Sequence, residues 1–365
     1  MSLPATIEAI TIPHTGDIDV IQKTTIPFPE VKPGDFVIKV EYAGVNFIDT
    51  YYRKGLYPYK QFPAVLGKET AGIIVALPTD EAVLNNETFK KQGFAVGGKV
   101  AAVGLFLITK NKHEANDVTA SLPQDFLGSH ATYISVPWTC VYRVPDSVST
   151  KIAAAAALQG LTALTFFEEA YKVQKGDTIL VHTVAGGLGL LFAQLGHRVG
   201  ATVIGTTSTA EKAELAKQNG ADHVILYTKE DTVQRVLEIT NGKGVDAIFD
   251  GVGKDTFDNN FKMIKRKGTI VSVGNASGAV EPFSLFRLVE KNVKLLRPTM
   301  NNYVATPEEA SYYGNQLFDL VEKGELKIKI FKEYKFTAED VKQAQRDLTE
   351  AGGKTTGKLI IKISD

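Results

Sequence analysis

Apolar and polar positions along the chain follow two different rhythms. Before about residue 150, short strand-like runs predict strands at 6–11, 36–42, 72–76, 99–103 and 131–136. The clearest is Phe36-Val37-Ile38-Lys39-Val40-Glu41-Tyr42, which follows the turn-forming Lys32-Pro33-Gly34-Asp35. Residues 78–97 are polar with a short helical pattern. Residues 109–125, crowded with Asn, Lys, His, Glu and Asp, read as an exposed loop.

From about residue 150, helix-length and strand-length signals alternate. Helices are predicted at 151–171, 187–199, 210–219, 230–240 and 255–265, and strands at 178–183, 201–206, 223–226, 245–250 and 268–273. Such alternation predicts a doubly wound α/β unit, a parallel sheet covered on both faces. After 297 the pattern is mixed: Thr306-Pro307-Glu308-Glu309 looks like a capped helix start, and 358–363 is strand-like. The expected organisation is a nucleotide domain over 141–297 inserted into a β-rich domain built from 1–140 and 298–365.

Composition changes this picture little. A chain of 365 residues is long for one core. Lys plus Arg and Asp plus Glu both number 41, so no net field draws the chain to nucleic acid or anionic lipid. The single cysteine, Cys140, excludes an intramolecular disulfide framework and any site of several thiolates. With six scattered His, no metal site is expected. No secretory signal pattern opens the chain, and the uncharged stretch 152–167 is short for a membrane span, so a cytoplasmic protein is expected.

Chemistry concentrates in Thr178-Ile179-Leu180-Val181-His182-Thr183-Val184-Ala185-Gly186-Gly187-Leu188-Gly189. A buried strand, a glycine turn and a helix start form the layout that receives a dinucleotide pyrophosphate. The glycines permit close backbone approach, and the helix N-terminus offers N–H groups to the anion. The usual spacing of these glycines would want one at Val184 or Ala185. At the end of the second strand stand Gly205-Thr206-Thr207-Ser208, with Lys212 a turn later and no carboxylate at the strand end. Hydroxyls and an ammonium suit a 2′-phosphate, so NADPH is expected over NADH. His182 is expected to be a buried structural histidine.

The run Gly44-Val45-Asn46-Phe47-Ile48-Asp49-Thr50-Tyr51-Tyr52-Arg53-Lys54-Gly55-Leu56-Tyr57-Pro58 resembles the quinone oxidoreductases, the zeta-crystallin-like family. These form a zinc-free branch of the medium-chain dehydrogenase/reductase superfamily. Leu66-Gly67-Lys68-Glu69-Thr70-Ala71-Gly72, Gln159-Gly160-Leu161-Thr162-Ala163, Phe249-Asp250-Gly251-Val252-Gly253, Val273-Gly274-Asn275-Ala276-Ser277-Gly278 and Gly353-Lys354-Thr355-Thr356-Gly357-Lys358 add to it. Residues 78–126 are longer than the family pattern, and Val184 stands where alanine is usual. Zinc alcohol dehydrogenases have a metal-ligand cysteine near Asn46 and a histidine at Lys68, both replaced here.

The resemblance implies a Rossmann nucleotide domain with a GroES-like catalytic domain. It implies that Gly186, Gly187, Leu188 and Gly189 hold the pyrophosphate, with Thr207, Ser208, Lys212 and Tyr227 around the 2′-phosphate and adenine. Lys354 is a further phosphate contact, and Thr162 and Gly274 lie near the nicotinamide. Asn46, Asp49, Tyr51 and Tyr57 are implied to line the substrate pocket. A homodimer joined through the edge strand at Lys294-Leu295-Leu296-Arg297 is implied as well. The expected activity is metal-free hydride transfer from NADPH to a quinone, with Asn46 and Tyr57 holding the carbonyl oxygen. Reduction of enals or enones is the alternative. From other classes come a redox sensor and an AU-rich RNA-binding protein, the latter drawing on a basic groove such as Lys262, Lys265, Arg266 and Lys267, whose plain alternative is a solvated helix end.

Overall fold

Contacts gather the chain into two units, one made of Met1–Leu161 with Asn301–Asp365 and the other of Thr162–Met300. The computed structural model describes residues 3–59, 61–104, 107–108, 120–121, 128–349 and 355–364.

The first unit is organised by the strand Asp35–Val45. It pairs antiparallel with Glu69–Ala76 on one side. On the other, Tyr133–Pro137 covers its first half and Lys358–Lys362 its second. Phe36, Val37, Ile38 and Val40 are all fully buried, so this strand is covered on both faces rather than on the one its alternation suggests. Beyond Glu69–Ala76 the sheet continues through Lys99–Val103 to Val141–Arg143. Beyond Lys358–Lys362 it ends at Ile330–Lys335. A smaller sheet joins Gln22–Pro27, Thr6–Ile12 and Ala64–Val65.

The boundary between units falls at 161/162, later than the change of rhythm suggests. The strand Val141–Arg143 ladders onto Lys99–Val103, which holds this segment in the first unit. The helix Thr150–Thr165 then crosses the boundary and widens into a π turn at Phe166–Ala170. Taken through Ala170, the helix is long and apolar enough to cross a membrane by length and composition only, and most of it is buried.

Within 78–97 are two short helices, Glu81–Asn85 and Glu87–Gln92, started by Asp80 and Asn86 side chains accepting backbone N–H groups. Of the loop expected at 109–125, only 120–121 lies within the described residues, paired with Leu107–Ile108.

Among the described residues, the second unit holds a six-stranded parallel sheet. Its order is His223–Leu226, Thr202–Thr207, Thr178–Val181, Val245–Asp250, Ile264–Ser272 and Lys294–Leu296. Leu180, Ile204, Ile225, Ile248 and Ile270 bury their side chains in one core with Val236 and Met263 from the covering helices. The chain leaves Thr178–Val181 toward one edge and returns to its other side at Val245–Asp250. That reversal is the switch point at which doubly wound sheets bind ligands, outside the carboxyl ends of the strands. The strand expected at 268–273 starts earlier, at Ile264, because Ile264 already pairs with Val245 across an irregularity in register.

Candidate functional site

The turn after Thr178–Val181 is held in an unusual conformation. Thr183 has φ 56°, a left-handed backbone that a β-branched residue rarely adopts. Its neighbours over-determine it: Thr183 N–H donates to Thr206 Oγ1 at 3.3 Å, Thr183 Oγ1 to His182 O at 2.6 Å, and Gly186 N–H to Thr183 O at 2.9 Å. The helix Gly187–Val199 then starts from Gly186 with no side-chain cap. The first-turn N–H groups of Gly187, Leu188 and Gly189 therefore have no acceptor inside the helix and suit an anion.

Gly189 fixes how tightly that helix sits. A Cβ there would lie 2.4 Å from Thr183 O and 2.8 Å from Val184 Cα. The bulk of Val184, where a smaller residue is usual, is received by Gly205: a Cβ on Gly205 would meet Val184 Cγ1 at 2.4 Å. The departure from the usual glycine spacing is thus compensated on the neighbouring strand.

Thr207, Ser208, Lys212 and Tyr227 come together at the ends of Thr202–Thr207 and His223–Leu226. Tyr227 N–H donates to Thr207 O at 3.1 Å, and Thr228 Oγ1 to Ser208 O at 2.9 Å. Lys212 lies in the first turn of Ala210–Gln218, where partial burial holds its ammonium below the ordinary lysine value. Glu211 beside it is exposed. Gly274 packs on Gly251, whose carbonyl oxygen would lie 2.8 Å from a Cβ on Gly274. Thr162 is half-buried at the start of the unit. Lys354 lies outside the described residues.

His182 is buried, and its ring belongs to a chain of side chains. Asn260 Nδ2 donates to Asp250 Oδ2 at 2.6 Å, so Asn260 Oδ1, 2.9 Å from His182 Nε2, is an acceptor. The proton therefore sits on Nε2, and Nδ1 accepts from Thr206 Oγ1 at 3.2 Å. Asp250 also accepts from Val252 N–H and Thr256 Oγ1. One network ties together three strand ends that carry the loops of this unit.

In the first unit, the helix Phe47–Arg53 follows directly on Asp35–Val45 and presents Asn46, Asp49 and Tyr51. Tyr57 folds back against this helix, its ring edge-on to Tyr51 with centroids 5.9 Å apart. Asn46 and Tyr57 are half-buried, but Asp49 is only 1% exposed. Asp49 Oδ2 accepts the Asn46 N–H at 2.8 Å, so Asp49 supports the helix start. Buried Arg53 fastens the helix end, donating from Nε to Gln345 Oε1 and from Nη1 to Gly16 O, both at 2.7 Å.

Three charged residues that the sequence did not single out as functional gather here: Glu69 and Lys358 on Asn46, and Lys68, whose charge acts on Asp49. Lys358 Nζ lies 2.5 Å from Asn46 Oδ1 and 2.5 Å from Glu69 Oε2, while Asn46 Nδ2 donates to Glu69 Oε2 at 3.0 Å. Lys68 Nζ sits 4.3 Å from the centre of the Tyr52 ring. Burial pushes the Asp49 carboxyl up to about 7, against the pull of Asn46 N–H, Lys68 and Lys358. Burial pushes the Lys68 ammonium down to about 8, against the pull of Asp49. Burial also lowers His130, to about 4, and Lys68 and Lys358 lower it further while its bond to Gly44 O opposes. One signal for this cluster was present in the sequence: Lys68 and Glu69 interrupt an apolar run, and charges inside such a run need partners.

The basic residues 262–267 do not form one exposed face. Lys265 to Lys267 lie in the strand Ile264–Ser272, and Lys265 is paired with Asp246 at 2.7 Å.

Residues 187–314 match the family described as zinc-binding dehydrogenase, and residues 32–146 the alcohol dehydrogenase GroES-like domain. The chain is 37% identical over 352 residues to a probable quinone oxidoreductase of Schizosaccharomyces pombe, covering 96% of each. Among solved structures, a quinone oxidoreductase of Pseudomonas syringae pv. tomato DC3000 matches with a TM-score of 0.84 and 33% identity, over 97% of this chain and 99% of that one. The quinone oxidoreductase of Escherichia coli complexed with NADPH matches with a TM-score of 0.82 and 30% identity, again over 97% and 99%.

Proposed function

The chain belongs to the quinone oxidoreductase family of the medium-chain dehydrogenases/reductases, and from that premise we propose that it is an NADPH-dependent quinone reductase. One observation carries the reading: an uncapped glycine helix start at the switch point of a parallel sheet, with Thr207, Ser208 and Lys212 at the end of the adjoining strand. Gly186 to Gly189 offer backbone N–H groups to a pyrophosphate. Lys212 and the hydroxyls of Thr207 and Ser208 suit a 2′-phosphate, which a carboxylate would repel. Tyr227 is assigned to flank the adenine, Thr162 and Gly274 to the nicotinamide end, and Lys354 to a further phosphate contact.

NADPH supplies a hydride. With one further proton, a quinone becomes a hydroquinone. Asn46 and Tyr57 donate hydrogen bonds to the carbonyl oxygen on which charge develops, and Tyr51 packs behind Tyr57. Asp49 supports Asn46 from the buried side. The zinc in the matched family's description does not fit this donor set. Lys68 is an ammonium, Asn46 an amide already bonded to Lys358 and Glu69, and the described residues hold no group of three His, Cys, Asp or Glu suited to a metal. No step is therefore routed through a metal.

We also infer that two copies join along Lys294–Leu296, which pairs on one side with Ile264–Ser272 and follows the exposed Leu285, Phe286 and Val289. Light scattering checks this, and a monomer refutes it.

The test of activity is NADPH oxidation with 9,10-phenanthrenequinone, a small p-quinone and an alkenal in parallel, with NADH as control. Fast NADPH-specific turnover of the quinones is expected. Preference for the alkenal moves the assignment to enone reduction, and binding without turnover moves it to a redox sensor.

A further inference from the structure

The two ends of an Asn side chain differ chemically, and a half-turn exchanges them. At Asn46 both are committed. The Lys358 ammonium only donates, so the atom facing it at 2.5 Å is Oδ1. The Glu69 carboxylate only accepts, so the atom facing it at 3.0 Å is Nδ2. Exchanging the ends would set an N–H against an ammonium and an oxygen against a carboxylate, replacing two attractions with two repulsions. The ion pair that enforces this orientation is itself withdrawn from water, with side chains 5% and 0% exposed. Glu69 is anchored through its other oxygen, which accepts Leu158 N–H at 2.7 Å. Gly44 makes room for the pair: a Cβ there would lie 2.2 Å from Glu69 Oε2 and 2.9 Å from Lys358 Cε. One Nδ2 hydrogen goes to Glu69, and the second has no partner among the described residues.

We infer that Glu69 and Lys358 are positioning residues: their buried ion pair clamps the Asn46 amide so that its remaining N–H is a preset donor to the acceptor's carbonyl oxygen. This deepens the proposed function and rests on Asn46 being that donor. A donor fixed before reaction needs no reorganisation as the oxygen gains charge, and the surrounding low dielectric strengthens each contact that holds it. Neither residue touches the acceptor; both act through Asn46.

A double-mutant cycle tests the clamp. Asn46→Ala, Lys358→Met and the double variant are assayed for kcat and KM with a p-quinone at saturating NADPH. NADPH affinity and Tm are read alongside, and Lys358→Arg is the charge-retaining control. The expected result is a fall in kcat of about tenfold or more for Lys358→Met with NADPH affinity within about twofold, largely restored by Lys358→Arg. In the Asn46→Ala background, Lys358→Met is expected to lower kcat no further. An Asn46→Ala variant with unchanged kcat overturns the reading of Asn46 as donor. If Asn46→Ala slows turnover and Lys358→Met multiplies that loss, the clamp is overturned while the donor role stands. Should Lys358→Met fail to fold, the isosteric Glu69→Gln enters the same cycle under the same criteria.

Discussion

Replacing Gly189 by alanine tests whether helix and turn are packed as tightly as the cofactor reading needs. The new methyl would start 2.4 Å from Thr183 O and 2.8 Å from the Cα and carbonyl carbon of Val184, all backbone atoms. The turn or the helix must retreat by at least about 0.6 Å to restore even a tight contact. Thr183 has little freedom to give way, being held in its left-handed conformation by three hydrogen bonds. Overpacking of this kind costs about 1–3 kcal/mol. For a chain of this size that lowers Tm by roughly 1–4 °C. The same retreat moves the first-turn N–H groups, and losing one bond to a charged phosphate costs about 1.5–3 kcal/mol, a factor of ten to a hundred in NADPH affinity. Thermal denaturation with and without NADPH reads both effects. Gly186→Ala is the comparison, because there a Cβ meets only Thr183 O, at 3.3 Å, and φ −74° with ψ 168° suits any residue. Its apo stability is expected to stay within about 0.5 kcal/mol of the parent's. A Gly189→Ala protein with unchanged Tm and an unchanged thermal shift on adding NADPH would refute the reasoning.

Lys212→Ala should weaken NADPH by about tenfold or more while leaving NADH within about twofold, as titration calorimetry would show, since the ammonium answers only the 2′-phosphate. Asp49→Asn should flatten the pH dependence of stability in acid. Its folded value of about 7 against 3.8 unfolded means the folded state holds the extra proton, so stability is full below about 4 and is lost as pH rises through 7. Urea midpoints from pH 4 to 8 follow this, and an unchanged slope in the variant counts against a buried neutral carboxyl. Lys68 acts in another window: with a folded value of about 8 against 10.5, stability rises with pH from 8 to 10.5, and Lys68→Met removes that rise. Arg53→Met leaves Gln345 Oε1 and Gly16 O without this donor inside the protein and should cost about 2–4 kcal/mol by urea unfolding, whereas an effect under 0.5 kcal/mol would show that water replaces it freely.

The second unit was legible because its signals are local. Strands at 223–226 and 245–250 coincide with His223–Leu226 and Val245–Asp250, and the helix at 187–199 with Gly187–Val199. Periodicity, a glycine turn and the sequence order of a βα repeat all lie within a few residues of one another. The helix start at Thr306 was equally local, and its capping box is present. Strand Ile264–Ser272 was placed too late because its first pairing depends on Val245, not on anything near Ile264. The cluster around Asn46 could not be assembled from sequence for the same reason. Lys358 is 312 positions from Asn46, and nothing local marks them as partners. Lys68 and Glu69 had a local oddity, charges in an apolar run, but their partners lie on other elements. Nothing near His182 in sequence marks its link to Asp250, which runs through Asn260, 78 positions away.

The placement of Lys358–Lys362 has a consequence for how the protein is made. This strand is not at an edge: it lies between Asp35–Val45 and Ile330–Lys335, and it brings Lys358 to Glu69. While the ribosome is still reading the middle of the message, the central strand of the first unit has one half of one side open, and Glu69 is buried without its cation. The second unit is continuous and can close on itself first. The newborn chain thus carries an exposed strand edge until Lys358–Lys362 is made, a period in which chaperone capture competes with pairing between neighbouring chains on a polysome. Arrival of Lys358–Lys362 ends that exposure, and the same strand completes the surroundings of Asn46.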